Sequence, residues 1–584
     1  MSSLHPSVAT RTARMQPRPA RRYLPFVPGP TACASGEHVQ PPHRRRAAHL
    51  KATHGASRAM GHSRILTIIG LMVGFVAPGV AVAGSPSPSL HGDMLPRSAV
   101  MHPAPSAKAS DWQADIRQHA QRLIDAGFFP GMSLAVTRGD QVVYVGSFGI
   151  ADVDSGRRVD DHTRFYIAST TKALTATAVV LRASRGALQL DAPVTRYLRN
   201  LEFKAPLQAD AITLRDLLSM TDGIDDCLPV VFRTAFTGVF TQPGLMALMK
   251  QCGPAKTGRA FDYRNLPYHL LGMVLAPAAA NGWKAVVRAD VLVPLGMDET
   301  SARLSTLDPG QIAMPHEATG DGFMRIRLGK VDANLHAAGG YFTTARDLAR
   351  FVAVHAADGM LDGQRIFPAG VLASTQARHA DQDHDFGPYH RFGWGFGWDL
   401  GTFEGHTLVH RFGSFAGYRS HVSFMPDTRI GVVVLVNGMA EPFAADDLAD
   451  YIYDRLNGTP SVADTRYARA FKQSGQRKAR YAEHLRKQQA IQRARQQQPL
   501  AHPLAAYAGR YANPQLGTMA WRVTDDHLDV SIGAAQSRAS IYAAAKNQMR
   551  VELTGSGEVV TFRFPSATGP ADSLKYSGYR FERQ

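Results

Sequence analysis

Phe165-Tyr166-Ile167-Ala168-Ser169-Thr170-Thr171-Lys172-Ala173-Leu174 is the stretch on which the reading of this chain turns. The residues that follow, through Val180 and Leu181, are apolar and helix-compatible, and the pattern predicts a helix over residues 169–185. Lys172 then lies one turn beyond Ser169, on the same face. A serine hydroxyl is a poor nucleophile until something takes its proton, and a desolvated lysine can shed its own proton and do so. The first N–H groups of a helix have no intrahelical partner, so they point at whatever the serine attacks. Alone the pattern is weak, because a serine at a helix start is ordinarily a cap. Lys172 is nevertheless the only lysine of the chain with a serine three residues before it.

Two further segments supply walls for such a site. Phe261-Asp262-Tyr263-Arg264-Asn265-Leu266-Pro267 carries Tyr263 and Asn265 two residues apart, so an extended backbone points both to one side. A phenol relays protons, and an amide holds a carbonyl or an ammonium. Val409-His410-Arg411-Phe412-Gly413-Ser414-Phe415-Ala416-Gly417-Tyr418 leads into the apolar run from Gly431 to Asn437. Those residues read as antiparallel strands with a glycine-lined approach.

In this order the segments resemble the serine β-lactamase and penicillin-binding-protein-like family. The similar branch is the Tyr-x-Asn one, which holds class C β-lactamases, D-alanyl-D-alanine carboxypeptidases, D-aminopeptidases and carboxylesterases. Phe129-Pro130-Gly131, Leu190 to Val194, Ile212 to Gly223, Leu295-Gly296-Met297 and Ala338 to Leu348 belong to the same resemblance, which runs from about residue 112 to about 458. It implies an α+β fold: an antiparallel sheet with flanking helices and a helical lobe. It implies Ser169 as nucleophile, with Lys172 and Tyr263 as proton carriers. Asn265, Arg411, Gly413 and Ser414 become substrate-binding residues, and the Ser169 and Ser414 N–H groups an oxyanion hole. No cofactor and no metal are expected. The expected substrate is a D-amino-acid peptide or a carboxyl ester; a β-lactamase, or a non-catalytic ligand-sensing scaffold, is the alternative.

The chain departs from the family at Arg411, which stands where lysine or histidine is usual. His410 is one residue early, and a one-residue shift on a strand turns it to the opposite face. Arg411 stays protonated and cannot be a base; its fork is expected to take a substrate carboxylate. Lys256-Thr257-Gly258 and Tyr511-Ala512-Asn513 spell family motifs out of order and are set aside.

The net charge of +17 is concentrated at two places: residues 1–83 carry +10 and residues 461–500 carry +8, leaving the remainder near neutral. The basicity is therefore no sign of a nucleic-acid partner. Met60 to Arg64 is followed by an apolar run from Ile65 and by Ala81-Val82-Ala83, the form of a signal peptide over residues 60–83. Residues 1–59 then read as an upstream extension, and the mature protein as periplasmic or secreted. A retained inner-membrane anchor is the alternative, and membrane contact is expected only in that case. Cys227 and Cys252 remain after the leader, as a disulfide or as two buried thiols.

Residues 84–110 read as a Ser/Pro/Ala-rich linker and 111–458 as the hydrolase domain. Residues 459–500 read as a basic, solvated helix without an apolar stripe. Residues 501–584 carry short strands expected to form a small antiparallel β-barrel, similar to a lipocalin-like module. Strands near 131–145 and 392–436 should pair into one sheet, with the site between sheet and lobe. Asp381, Asp383, His384, Asp385 and His390 lack metal-site spacing and read as a polar surface loop.

Overall fold

A computed structural model of the protein describes residues 111–458 and 460–584. The expected upstream extension, signal peptide and linker lie outside the described residues. Among the described residues, nine antiparallel strands form the main sheet. Its centre joins the two ends of the hydrolase region: Gly131–Arg138 pairs with Ile430–Val436, Met132 opposite Val436 and Val136 opposite Val432. The unbroken apolar run from Gly431 is explained by this place, because a central strand is buried on both faces. Val432, Val434 and Val436 face one core, and Val433 and Leu435 the other.

Helices Trp112–Asp125 and Ala444–Leu456 cover the first face. Helix Ala345–Ala356 covers the second, followed by the helix that bears Lys172, Thr171–Ser184. Every residue from Thr171 to Leu181 is buried, as in a helix surrounded by protein rather than laid on a surface. The helical lobe lies beyond it. Within the lobe Thr213 and Asp216 cap helix Leu214–Ser219 reciprocally, the Thr213 N–H donating to Asp216 Oδ2 at 2.8 Å and the Asp216 N–H to Thr213 Oγ1 at 3.1 Å. Cys227 and Cys252 are joined as a disulfide.

Residues 504–584 form a second sheet of nine antiparallel strands among the described residues, curled into a nearly closed barrel around Tyr511, Trp521, Phe562 and Phe581. Strands Ala535–Arg538, Ser540–Ala543 and Ser573–Tyr576 were not foreseen, since they are short and carry little apolar alternation. The acidic and histidine residues from 381 to 390 lie not in a loop but on an exposed hairpin, Ala380–Phe386 with Tyr389–Trp394.

The basic segment is a single helix, Pro460–Gln496, exposed along most of its length but anchored at intervals. It buries Ala463, Tyr467, Ser474, Leu485 and Gln492. Its polar residues are put to use: Ser474 Oγ donates to Asp447 Oδ2 at 2.6 Å, and Arg477 pairs with Glu441 at 2.9 Å. At its far end Arg495 lies 4.5 Å from the Tyr542 ring centroid of the barrel. The helix is a strap across hydrolase domain and barrel. The barrel also meets the lobe directly, with Phe232 and Tyr576 ring centroids 5.9 Å apart and Arg233 Nε donating to Gln515 O at 2.6 Å.

The disulfide closes a loop with a sequence separation of 25 residues. Opening it by Cys227→Ser with Cys252→Ser should lower stability by about 3 kcal/mol through loop entropy. Equal denaturant midpoints for that variant and the oxidised protein would contradict this.

Candidate active site

Ser169 enters on a tight turn, Ala168–Thr170, ahead of helix Thr171–Ser184. Ala168 is left-handed, at φ 43°, an uncommon conformation for a residue with a Cβ. The surroundings hold it there. Thr171 Oγ1 accepts the N–H groups of Gly340 at 2.9 Å and Tyr341 at 3.2 Å, and the Ile167 N–H donates to Tyr341 O at 3.0 Å. From the other side, Ser420 Oγ donates to Ile167 O at 3.2 Å and contacts Thr170 Oγ1 at 2.8 Å. Gly413 packs its backbone on Ile167, where any Cβ would run into the carbonyl oxygen. Ser414, exposed and opposite Arg419 in register, follows on the same strand, so its backbone lies beside the start of helix Thr171–Ser184.

The Lys172 ammonium is fully buried. It donates to Ser169 Oγ at 3.3 Å, Asn265 Oδ1 at 2.7 Å and Ala338 O at 3.0 Å, which uses all three of its hydrogens. Asn265 stands at the N-cap of helix Leu266–Leu275 but makes no cap bond, because its oxygen serves the lysine instead. Burial brings Lys172 down to about 8, with the Arg411 charge pressing the same way and Tyr263 and Asp399 opposing. A base able to lose its proton near neutral pH is the result.

Tyr263 lies over the same group, with Lys172 Nζ 4.8 Å from its ring centroid. Burial would raise the phenol, but Arg411 and then Lys172 outweigh it and hold Tyr263 below its ordinary value. The means is direct: Arg411 Nη2 donates to Tyr263 Oη at 2.8 Å. Arg411 Nη1 donates to Asp399 Oδ2 at 2.8 Å, and Arg391 reaches the same oxygen at 3.3 Å. Gln382 Nε2 donates to Asp399 Oδ1 at 3.2 Å. Both ends of the Arg411 fork are thus occupied by the protein's own groups, and the residue is buried. In this arrangement one arm of the Arg411 fork is directed at Tyr263 and the other at Asp399.

His410 lies in the other layer. Its ring stacks on Phe412 with centroids 4.8 Å apart, its Nε2 accepts from Arg391 Nε at 3.0 Å, and burial pushes it down to about 3. Ser169, Lys172, Tyr263, Asn265 and Arg411 come together in one connected cluster, and Gly413 and Ser414 border it. Asp399, Arg391, Ala338 and Gly397 were missed. Gly397 admits helix Thr171–Ser184, since a Cβ there would sit 2.8 Å from Ala173 Cα. Ala338 lay within a recognised stretch, whereas Asp399 and Arg391 carry no local signal and act only through strand pairing. Among the described residues one group has metal-like spacing, Asp225 with Cys227 and Cys252, but its sulfurs are spent in the disulfide.

A family model described as Beta-lactamase matches residues 116–457. "Protein flp" of Staphylococcus aureus (strain COL) is 24% identical over 330 residues, covering 56% of this chain and 64% of the relative. The chain thus spans less than two thirds of that relative's length. The octameric penicillin-binding protein homologue from Pyrococcus abyssi matches with TM-score 0.50 and 19% identity, over 80% of this chain and 99% of that one. D-amino acid amidase from Ochrobactrum anthropi SV3 matches with TM-score 0.50 and 22% identity, over 59% of this chain and 99% of that one.

The geometry makes a pH prediction. A general base works deprotonated, so turnover should be full above the Lys172 value of about 8 and fall away below it. Arg411 lowers both Lys172 and Tyr263. Arg411→Met should therefore move the acid limb of kcat/KM to higher pH, while Arg411→Lys should leave it close to the unmutated position. An unmoved limb in Arg411→Met would mean that its charge does not tune the base.

Proposed function

The chain belongs to the Beta-lactamase family, and from that premise we propose that it is a serine hydrolase working through an acyl-enzyme on Ser169. The observation that carries the reading is the buried Lys172 ammonium, 3.3 Å from Ser169 Oγ and bonded otherwise only to neutral oxygens. Ser169 Oγ attacks an amide or ester carbonyl and gives its proton to the Lys172–Tyr263 pair. The Ser169 and Ser414 N–H groups hold the oxyanion. The tetrahedral intermediate collapses, Tyr263 passes the proton to the leaving group, and water then releases the acyl group by the same route.

The substrate we favour is a D-amino-acid amide or peptide, or a carboxyl ester, which is the chemistry named for the Ochrobactrum relative together with its ester counterpart. A β-lactam is the second candidate. A purely ligand-binding role sits poorly with Lys172, because a desolvated amine held within hydrogen-bond reach of a serine hydroxyl is the arrangement that activates a nucleophile. We also propose export, from the signal-like residues 60–83. N-terminal sequencing of the mature protein should begin at or near Gly84, and a chain retaining Arg64 in the membrane fraction would overturn this.

A fluorophosphonate probe should give one adduct, on the peptide that contains Ser169. Lys172→Ala should slow labelling about 10²–10⁴-fold, the usual worth of a general base. An adduct at another residue, or none, would overturn the mechanism.

A further inference from the structure

Lys330 is a lysine that the mechanism above leaves unused, and it is only 5% exposed. Its Nζ donates once, to Ala235 O at 3.0 Å. Among the described residues no carboxylate forms an ion pair with it. An ammonium has three donors, so two remain without an acceptor. Around them stand aromatic faces: Phe415 with its centroid 3.9 Å from Nζ, Tyr166 at 5.2 Å and Phe236 at 5.8 Å. Aromatic faces moderate the cost of a buried cation but do not neutralise it.

The position of that cage relative to Ser169 gives it meaning. Phe415 follows Ser414, the expected oxyanion donor. Tyr166 lies three residues before Ser169, and its hydroxyl donates to Gly339 O at 2.5 Å, next to the Ala338 carbonyl that receives Lys172. The leaving group must depart toward Tyr263, which returns the proton. A substrate laid along the strand would then carry its acyl substituent the other way, from Ser414 toward Phe415, whose ring centroid is 3.9 Å from Lys330 Nζ. Gly339 has no side chain there, and the half-buried His336 takes up the space, its Cε1 3.2 Å from where a Cβ would be. His336 is held well below its ordinary value by burial and then by His269, Lys330, Lys172 and Lys284, cations or bases without exception. The groups that act on His336 here are thus all basic, and no ion pair to Lys330 is found among the described residues, whereas Arg411 is matched by Asp399.

We propose that Lys330 recognises an anion on the acyl side, so that preferred acyl donors carry a carboxylate a few bonds beyond the scissile carbonyl. The inference rests on the hydrolase reading above and names its substrate class. Burial brings the Lys330 ammonium down to about 7. The preference should be strongest below that pH and fade as pH rises through it, because the neutral amine attracts no carboxylate.

The test compares two p-nitrophenyl esters of equal chain length, the pentanoate and the glutarate half-ester. The unmutated protein should favour the half-ester in kcat/KM on the order of ten- to a hundredfold, the worth of one charge-assisted hydrogen bond. Lys330→Met should abolish the preference while pentanoate turnover stays within about threefold. Lys330→Arg should keep it. Equal rates for the two esters in the unmutated protein, or equal losses in Lys330→Met, would overturn the proposal. Should Lys330→Met fail to fold, inhibition of pentanoate hydrolysis in the unmutated protein decides. Monomethyl glutarate should inhibit at lower concentration than methyl pentanoate, and less above about pH 7; equal inhibition overturns the inference. Pentanoate turnover without any preference sinks only this inference, whereas no turnover and no Ser169 adduct sinks the hydrolase reading itself.

Discussion

An ammonium sealed from water among neutral oxygens is the constraint to which the rest of this structure answers. Lys172 could be stabilised far more simply by a carboxylate, but a carboxylate would lift its pKa and end its use as a base. Three neutral acceptors must instead be brought to one point, and each arrives from a different part of the chain: Ser169 from the tight turn, Asn265 from the lobe, Ala338 from the segment before helix Ala345–Ala356. The sheet and lobe have to close on each other before the lysine has all its partners. Gly413 and Gly397 mark where that closure leaves no room for a side chain.

The same economy governs the opposite wall. Arg411 brings a permanent charge to Tyr263 without bringing a proton that could be lost. Left alone it would be a second uncompensated cation beside the first. Asp399 matches it and is itself matched by Arg391, so the carboxylate stays ionised despite complete burial, with both cations overcoming the cost of desolvation. The phenol therefore feels one directed N–H group and a tempered charge.

The parts of the site legible in the sequence are those whose chemistry is local. Ser169 with Lys172, and Tyr263 with Asn265, are close in sequence, so helical and extended spacing already places them together. The central strands were equally plain, because burial on both faces writes an unbroken apolar run. Asp399, Arg391 and Lys330 were opaque: each reaches the cluster through strand register or loop packing, and none sits in a telling neighbourhood. Arg411 was located by position, but its partner Asp399 on the neighbouring strand could not be seen. The anchor points of the strap helix were hidden for another reason. Its buried line includes Ser474 and Gln492, which a search for apolar residues passes over.

The barrel's seat on the lobe bears on how the chain is made. Phe232 and Arg233 occur early, whereas Tyr576 and Gln515, which meet them, lie beyond residue 504. From the end of the hydrolase domain at residue 458, another 126 residues run to and include Gln584. At roughly 5–20 residues per second a ribosome needs on the order of ten seconds to deliver them. Throughout that interval an aromatic face of the lobe has no partner. The growing chain is most prone to aggregate then, and a holding chaperone has most to offer at that stage.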